Sequence, residues 1–342
     1  MRPVVPSDKS SMIPLRKIIP IETFAPKVGH DDRITLWGSC FADELSKYLE
    51  GELYPICKSP FGIMYNPLSM AEGMRRLIGG IPPEEDELIQ SNGLWTSSMH
   101  HGSFSGADKA STLERMRETF KEARQALPDT RLFVFTFGTS YVYEEEANGE
   151  IVNNCHKRPS SDFTRRRASV EEIVDPWLSI IERLSSISPK ASFLFSVSPI
   201  PHYRDGVHEN SLSKAVLHLA VDEIIQNAYP RGRAYYFPSF EIMRDELRDY
   251  RFYAEDFAHP APLAVSYIMD RFSNHYLSPW EGQDEWHKLR ALIGHRPLSA
   301  DPVKLRAHYS SILDKLNTLM DRRPHPLLSE YKNAFARLYD SL

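Results

Sequence analysis

At 342 residues, with 42% apolar and 25% charged side chains, the chain has the composition of an ordinary soluble globular protein and the length for a sizeable core in one large or two ordinary domains. A formal charge of −5 and an isoelectric point near 6.2 lack the basic footprint of a general nucleic-acid binder. Three cysteines are too few, and odd in number, for a disulfide framework, which fits a reducing compartment.

The opening stretch MRPVVPSDKSSMIPLRKIIPIETF is broken by prolines and charges. It holds neither a signal-peptide apolar run nor a membrane span, so residues 1–29 read as an N-terminal extension and the expected location is the cytoplasm. The first β-rich run, RITLWGS (33–39), stops at Gly38-Ser39 and passes at once into a helical pattern over 41–50. There Phe41, Leu45, Tyr48 and Leu49 recur at helical spacing, with Asp43 and Glu44 in the first turn. A serine at such a place is commonly an N-cap, whose hydroxyl accepts a backbone N–H. It is also where a nucleophile would sit, because a helix N-terminus offers N–H groups and about half a positive charge to a developing oxyanion. A hydroxyl nucleophile then needs a base. The context is that of a nucleophile elbow, but the G-x-S-x-G pattern is absent.

LYPIC (53–57) is the second β-rich run, followed by a helix over 67–78; RLFVFTFG (131–138) is the third, between helices over 111–126 and 170–187. SFLFSVSP (192–199) precedes a helix over 211–228, and AYYFPSF (234–240) is the fifth. Near-continuous apolar runs alternating with helices predict a parallel five-stranded sheet covered on both faces. The expected fold is therefore a three-layer α/β/α sandwich, flavodoxin-like in its strand order 2-1-3-4-5, with ligands at the carboxyl ends of the strands. After the fifth strand, EIMRDELRDY reads as a helix, and another helix begins near Pro260. From residue 278, short charged helical segments punctuated by Pro279, Pro297, Pro302, Pro324 and Pro326 read as a helical appendage, which leaves 30–277 as the catalytic domain.

Two Asp-x-x-His stretches compete to supply the base, Asp205 to His208 and Asp256 to His259. In either, the carboxylate would orient the imidazole and stabilise the imidazolium. Position favours the second: His259 lies beyond the last strand, at the start of an amphipathic helix, where it can reach across to Ser39. The first lies in the loop after strand four and suits substrate contact. Cys40 and Cys155 are rival nucleophiles; a helix N-terminus favours a thiolate at Cys40, but a free cysteine is more often a small buried hydrophobe. His100, His101, His156, His202 and His208 lack the compact spacing of a zinc site, so no metal is expected. They read as hydrogen-bonding or substrate-contacting loop residues, His202 nearest the pocket at the end of strand four. TRRRAS (164–169) reads as a solvated loop before a helix, or as phosphate contacts for an acyl-CoA. YRFY (250–253) reads as core packing beside Asp256.

GSCFA at 38–42 is the namesake motif of the GSCFA family. The likeness continues in PFGIMYNP (60–67), MHH (99–101), TFGTSYVY (136–143), NCHKRP (154–159), SVSPIPHYRDG (196–206), SKA (213–215) and RDYRFYAEDFAHP (248–260). Over roughly 30–275 the chain thus resembles that family, a branch of the SGNH or GDSL-like hydrolases. The resemblance implies Ser39 as nucleophile, His259 as general base and Asp256 as its orienting acid. It implies oxyanion donors from the Ser39 N–H, from a glycine after strand two, matched by Gly62, and from an asparagine after strand three. There this chain has Gly138-Thr139, so Thr139 is the expected replacement through its hydroxyl, with Asn66 as a stand-in; Gly62 as a turn residue and Thr139 as a cap are the competing readings. Asn66, His100, His101, His156, His202 and Asn210 are the expected substrate contacts. The implied reaction is hydrolysis of a short acyl ester, an O-acetyl group on a carbohydrate or related small molecule, without a cofactor. The alternatives are an O-acyltransferase with the same triad, taking acyl-CoA as co-substrate, and a catalytically inactive carbohydrate-binding protein.

Overall fold

In the computed structural model, residues 17–24, 27–295, 297 and 301–342 are described; the first sixteen residues of the expected N-terminal extension lie outside them. The chain begins with β1 (Arg33–Gly38), α1 (Cys40–Gly51), β2 (Ile56–Lys58) and α2 (Pro67–Gly79). A hairpin of β3 (Leu88–Ser91) and β4 (Leu94–Ser97) leads to α3 (Lys109–Ala126) and β5 (Thr130–Phe137). Then come β6 (Tyr141–Glu145), β7 (Ile151–Val152), β8 (Phe163–Arg167), α4 (Val170–Ile187), β9 (Ser192–Val197), α5 (Val207–Asn227) and β10 (Ala234–Tyr236). A short α6 (Ser239–Glu241) runs into a π-helical turn over 242–246, and α7 (Pro262–Tyr276), α8 (Gln283–Gly294), α9 (Pro302–Arg322) and α10 (Pro326–Asp340) complete the chain. Among the described residues no helix is long and apolar enough to cross a membrane.

The central sheet is β2-β1-β5-β9-β10, parallel throughout. In order of the five strands it is the expected 2-1-3-4-5. The apolar runs are continuous because successive residues enter different cores. Phe133, Phe135 and Phe137 of β5 face a core built with α2, α4 and α5, while Leu132 and Val134 face one built with α1 and α7. Register pairs stack across the sheet, Phe133 on Phe193 at 5.5 Å and Phe135 on Phe195 at 5.4 Å between ring centroids. The last three helices gather a separate apolar cluster around Trp286, Ile312 and Leu316, joined to the main body by Leu53 and by the Trp286 indole N–H donating to Gly51 O at 2.8 Å.

Two expectations are corrected. Two antiparallel units interrupt the strand–helix alternation. In the β3–β4 hairpin Asn92 and Gly93 both take positive φ, 51° and 78°, which is the geometry of a type I′ turn. The basic run at 164–167 is not a solvated loop but strand β8, paired with β6, and its guanidiniums are committed to carboxylates: Arg165 to Asp205, Arg166 to Glu144 and Glu172, Arg167 to Glu209. The helix expected after β10 is present but short, α6 and its π-helical continuation ending at residue 246.

Candidate active site

The parallel sheet delivers several turns to one edge. Gly38 ends β1 at φ 148°, and a side chain there would place its Cβ 2.4 Å from Thr136 O, so only glycine allows this turn. Ser39 follows in extended geometry as the residue before α1, its carbonyl accepting the Ala42 N–H at 2.8 Å. Yet its hydroxyl makes no capping bond. Ser39 is 1% exposed, and Oγ has no hydrogen-bond partner among the described residues. A buried hydroxyl left unpaired costs about 1–3 kcal/mol, which a plain N-cap would have recovered.

Neighbouring turns close on this serine through Gly138, which follows β5. A Cβ at position 138 would stand 3.0 Å from Tyr65 O, 3.2 Å from His202 Nε2 and 3.3 Å from Ser39 Cβ. Backbone bonds stitch the same turns: Met64 N to Gly38 O at 2.9 Å, and Gly138 N and Thr139 N to Tyr65 O at 2.8 and 3.0 Å. His202 lies edge-on to the Tyr65 ring, and its backbone N–H donates to Asn210 Oδ1 at 2.9 Å. Burial, helped by the charges of Lys214 and Arg165, pushes His202 down to about 4, so its imidazole is neutral at pH 7.

Of the two Asp-x-x-His stretches, only the second forms a pair. His259 Nδ1 lies 2.5 Å from Asp256 Oδ2, and Asp256 Oδ1 accepts the N–H groups of Ala258 and His259 at 3.0 and 2.9 Å. The His259 ring and those two N–H groups hold the Asp256 carboxyl down to about 2. The His259 side chain is 56% exposed, and among the described residues no hydrogen bond joins it to the Ser39 hydroxyl. Asp205 is instead bound by both branches of the Arg165 guanidinium, with Nε at 2.8 Å, and makes no hydrogen bond to His208 among the described residues.

In the chain without substrate, each of the three expected oxyanion donors has a partner within the protein. Ser39 N donates to Thr136 O at 3.2 Å, and Gly62 N to Ser59 O at 3.1 Å. The Thr139 hydroxyl accepts the Tyr141 N–H at 3.1 Å and lies 3.1 Å from Ser213 Oγ. Gly62, at φ 77°, packs where a Cβ would come within 2.8 Å of His101 Cβ. It lines, with His101, Gly38 and Asp43, a groove of about 710 Å³ along the open β2 edge.

Other expected contacts have structural work. Asn66 caps α2, accepting the Ser69 N–H at 2.7 Å and donating to Ser69 Oγ at 2.8 Å. His100 is fully buried between Phe61 and Phe104, and burial pushes it down to about 3. His156 is held at the hairpin by Thr96 and by Ser97 O. Asn210 reaches the site only through the His202 backbone. Burial raises both thiols, Cys40 and Cys155, which disfavours the thiolate of either.

One residue of this region had no assigned role. Lys214 on α5 is 2% exposed, and Nζ donates to Gly138 O at 2.7 Å, Ser198 O at 2.8 Å and Ile200 O at 3.0 Å. Its signal in the sequence is position: 213, 214, 217, 221 and 224 share the buried face of one helix.

The model of the GSCFA family matches residues 33–272. No curated protein matches the sequence. Similar solved structures include an acetyl xylan esterase from the rumen bacterium Butyrivibrio proteoclasticus, at 12% identity and TM-score 0.37, with 72% of this chain and 64% of that one covered. The chain thus spans just under two thirds of that protein's length. A carbohydrate esterase of family 3 from Talaromyces cellulolyticus matches at 6% identity and TM-score 0.33, covering 71% of this chain and 95% of that one. A mutant acetyl esterase crystallised with acetate matches at 8% identity and TM-score 0.34, with the same two coverages.

Proposed function

The chain belongs to the GSCFA family, and from that premise and the geometry around Ser39 we propose that it is a serine esterase of the SGNH type. Its substrate in this reading is a short acyl ester, such as an O-acetyl group, on a carbohydrate or related small molecule. The observation that carries the proposal is the Ser39 hydroxyl, buried and unpartnered at the head of α1. Buried hydroxyls normally find a partner, and one kept free at the carboxyl edge of a parallel sheet is available to a substrate.

Asp256 fixes the tautomer of His259 with the proton on Nδ1, which leaves Nε2 to accept the Ser39 proton. No hydrogen bond joins the two side chains in the resting chain, and the exposed 254–261 turn carries the imidazole to Oγ as substrate binds, the tightening expected between apo and Michaelis states. Oγ attacks the ester carbonyl. The oxyanion forms against the first turn of α1, at the N–H groups of Cys40 and Phe41. His259 then gives its proton to the departing alcohol, and water, activated by the same imidazole, resolves the acyl-serine.

A time course of acetate release from a chromogenic acetyl ester, with and without sugar acceptors, tests this. Release without acceptor, falling about 10³-fold in Ser39→Ala, supports it. Acyl product that appears only with an acceptor makes the protein an acyltransferase, and sugar binding without turnover makes it a binding protein; either result rejects the esterase.

A further inference from the structure

Ser213 and Lys214 sit on the face of α5 that packs beneath the ends of β5 and β9. Ser213 Oγ accepts the Ser140 N–H at 2.9 Å and contacts Thr139 and Ser140 through their hydroxyls at 3.1 Å each. Lys214 reaches past it to three carbonyls, Gly138, Ser198 and Ile200, which lie on the two turns that bring Gly138 and His202 against Ser39. Three acceptors use three N–H donors, and only the protonated amine supplies three. No carboxylate pairs with it among the described residues, and the Phe240 ring lies 5.9 Å from Nζ.

Such a group is among the costliest a core can hold. Burial accordingly pushes the Lys214 ammonium down to about 7. The titratable groups that face it are uncharged at neutral pH. His202, after β9, and His218, one turn along α5, are both held down to about 4, and the Cys40 thiol of α1 is pushed up. Glu241 lies beyond His218, paired with Tyr236. Arg244 lies over the same Phe240 ring at 5.6 Å, and among the described residues Lys214 is the one charged side chain bonded to the turns packed against Ser39.

We propose that Lys214 is a positioning residue of the Ser39 site: its fixed ammonium locks the Gly138 turn and the Ser198–Ile200 turn against the serine and lends positive potential to the oxyanion formed there. No proton leaves the lysine in this role; the negative charge that develops on the carbonyl oxygen is met by a cation already in place. A neutral side chain could join the turns, but not supply the field in a site where water does not screen it. The inference rests on the esterase reading and deepens it.

The test compares the parent with Lys214→Met, which keeps the volume and removes the charge, and with Ser213→Ala, which loosens one turn and keeps the charge. Steady-state hydrolysis of an acetyl ester, labelling by a fluorophosphonate probe and amide hydrogen exchange are measured on each. For Lys214→Met the expected result is a loss of about 100-fold in kcat, the size of losing one oxyanion donor, with KM within threefold. Labelling slows in parallel, and exchange quickens at 138–140 and 198–202. The parent loses kcat as pH rises above about 7 and the lysine gives up its proton; Ser213→Ala keeps this alkaline limb and Lys214→Met lacks it. A folded Lys214→Met with kcat within threefold of the parent overturns the proposal, as does a loss confined to KM. If Lys214→Met does not fold, a parent profile that stays flat above pH 7 overturns it alone. A parent with neither ester turnover nor a labelled serine removes the esterase reading itself, a result distinct from an active parent with an indifferent Lys214.

Discussion

Two histidines far from the nucleophile allow a quantitative test of the packing. His100, fully buried between Phe61 and Phe104, is held down to about 3, and His30, buried against Tyr54 and stacked on Trp280, to about 4; burial is the main cause in each. In the unfolded chain both titrate near 6.5. Below that pH the unfolded state binds protons that the folded state refuses, so stability falls as pH drops from about 6.5 toward the folded values. At pH 5 the difference is about 1.5 units at 1.36 kcal/mol per unit, or roughly 2 kcal/mol for each histidine. Carboxylates held low by partners, Asp205, Glu246 and Asp256, lose their contributions below about pH 4 and stay outside this window. Urea unfolding followed by circular dichroism at pH 7 and pH 5 gives the sum over all the buried histidines, His202 and His218 included. His100→Leu, which keeps the site apolar, should remove about 2 kcal/mol of the parent's loss between the two pH values. An unchanged pH dependence in His100→Leu would refute the assignment of a neutral, enclosed imidazole.

Gly38→Ala should destabilise the protein by about 3 kcal/mol, through a Cβ driven against Thr136 O and a positive φ, and should abolish activity; thermal melting and ester turnover check both. Asp256→Asn should lower kcat at least about 100-fold at unchanged stability, because it takes away the acceptor that fixes the His259 tautomer. His259→Ala should cost more turnover than His208→Ala in side-by-side kinetics, and the reverse order would transfer the base to the Asp205 stretch. Trp286→Ala should cost about 3–5 kcal/mol, seen as protease sensitivity of the segment from 283 onward with kcat retained.

The parallel sheet was legible because β5 and β9 are buried on both faces and so write unbroken apolar runs. The antiparallel units were not, for two reasons. β8 is an Arg-rich strand whose charges pair with carboxylates from other elements, so its polarity imitated a loop. The β3–β4 hairpin is short and half-exposed, and its Asn92-Gly93 turn was the one clear local sign of it. Within the site, Ser39 and the Asp256–His259 pair are short-range patterns, one at a strand–helix junction and one three residues apart. The network joining the turns packed against Ser39 is long-range: Lys214 joins carbonyls 14, 16 and 76 residues away, a connection that spacing does not encode. Asn66 and His100 occur inside recognisable motifs, and their structural roles are long-range or local in ways the motif does not state: one caps the start of a helix and the other packs in a core.

Mass-spectrometric mapping of a serine-directed fluorophosphonate adduct bears most directly on the proposal that Ser39 is the nucleophile. The predicted result is one adduct, on the peptide that carries Ser39, absent from Ser39→Ala and formed far more slowly in His259→Ala. An adduct on any other residue, or ester turnover that survives in Ser39→Ala, would contradict it.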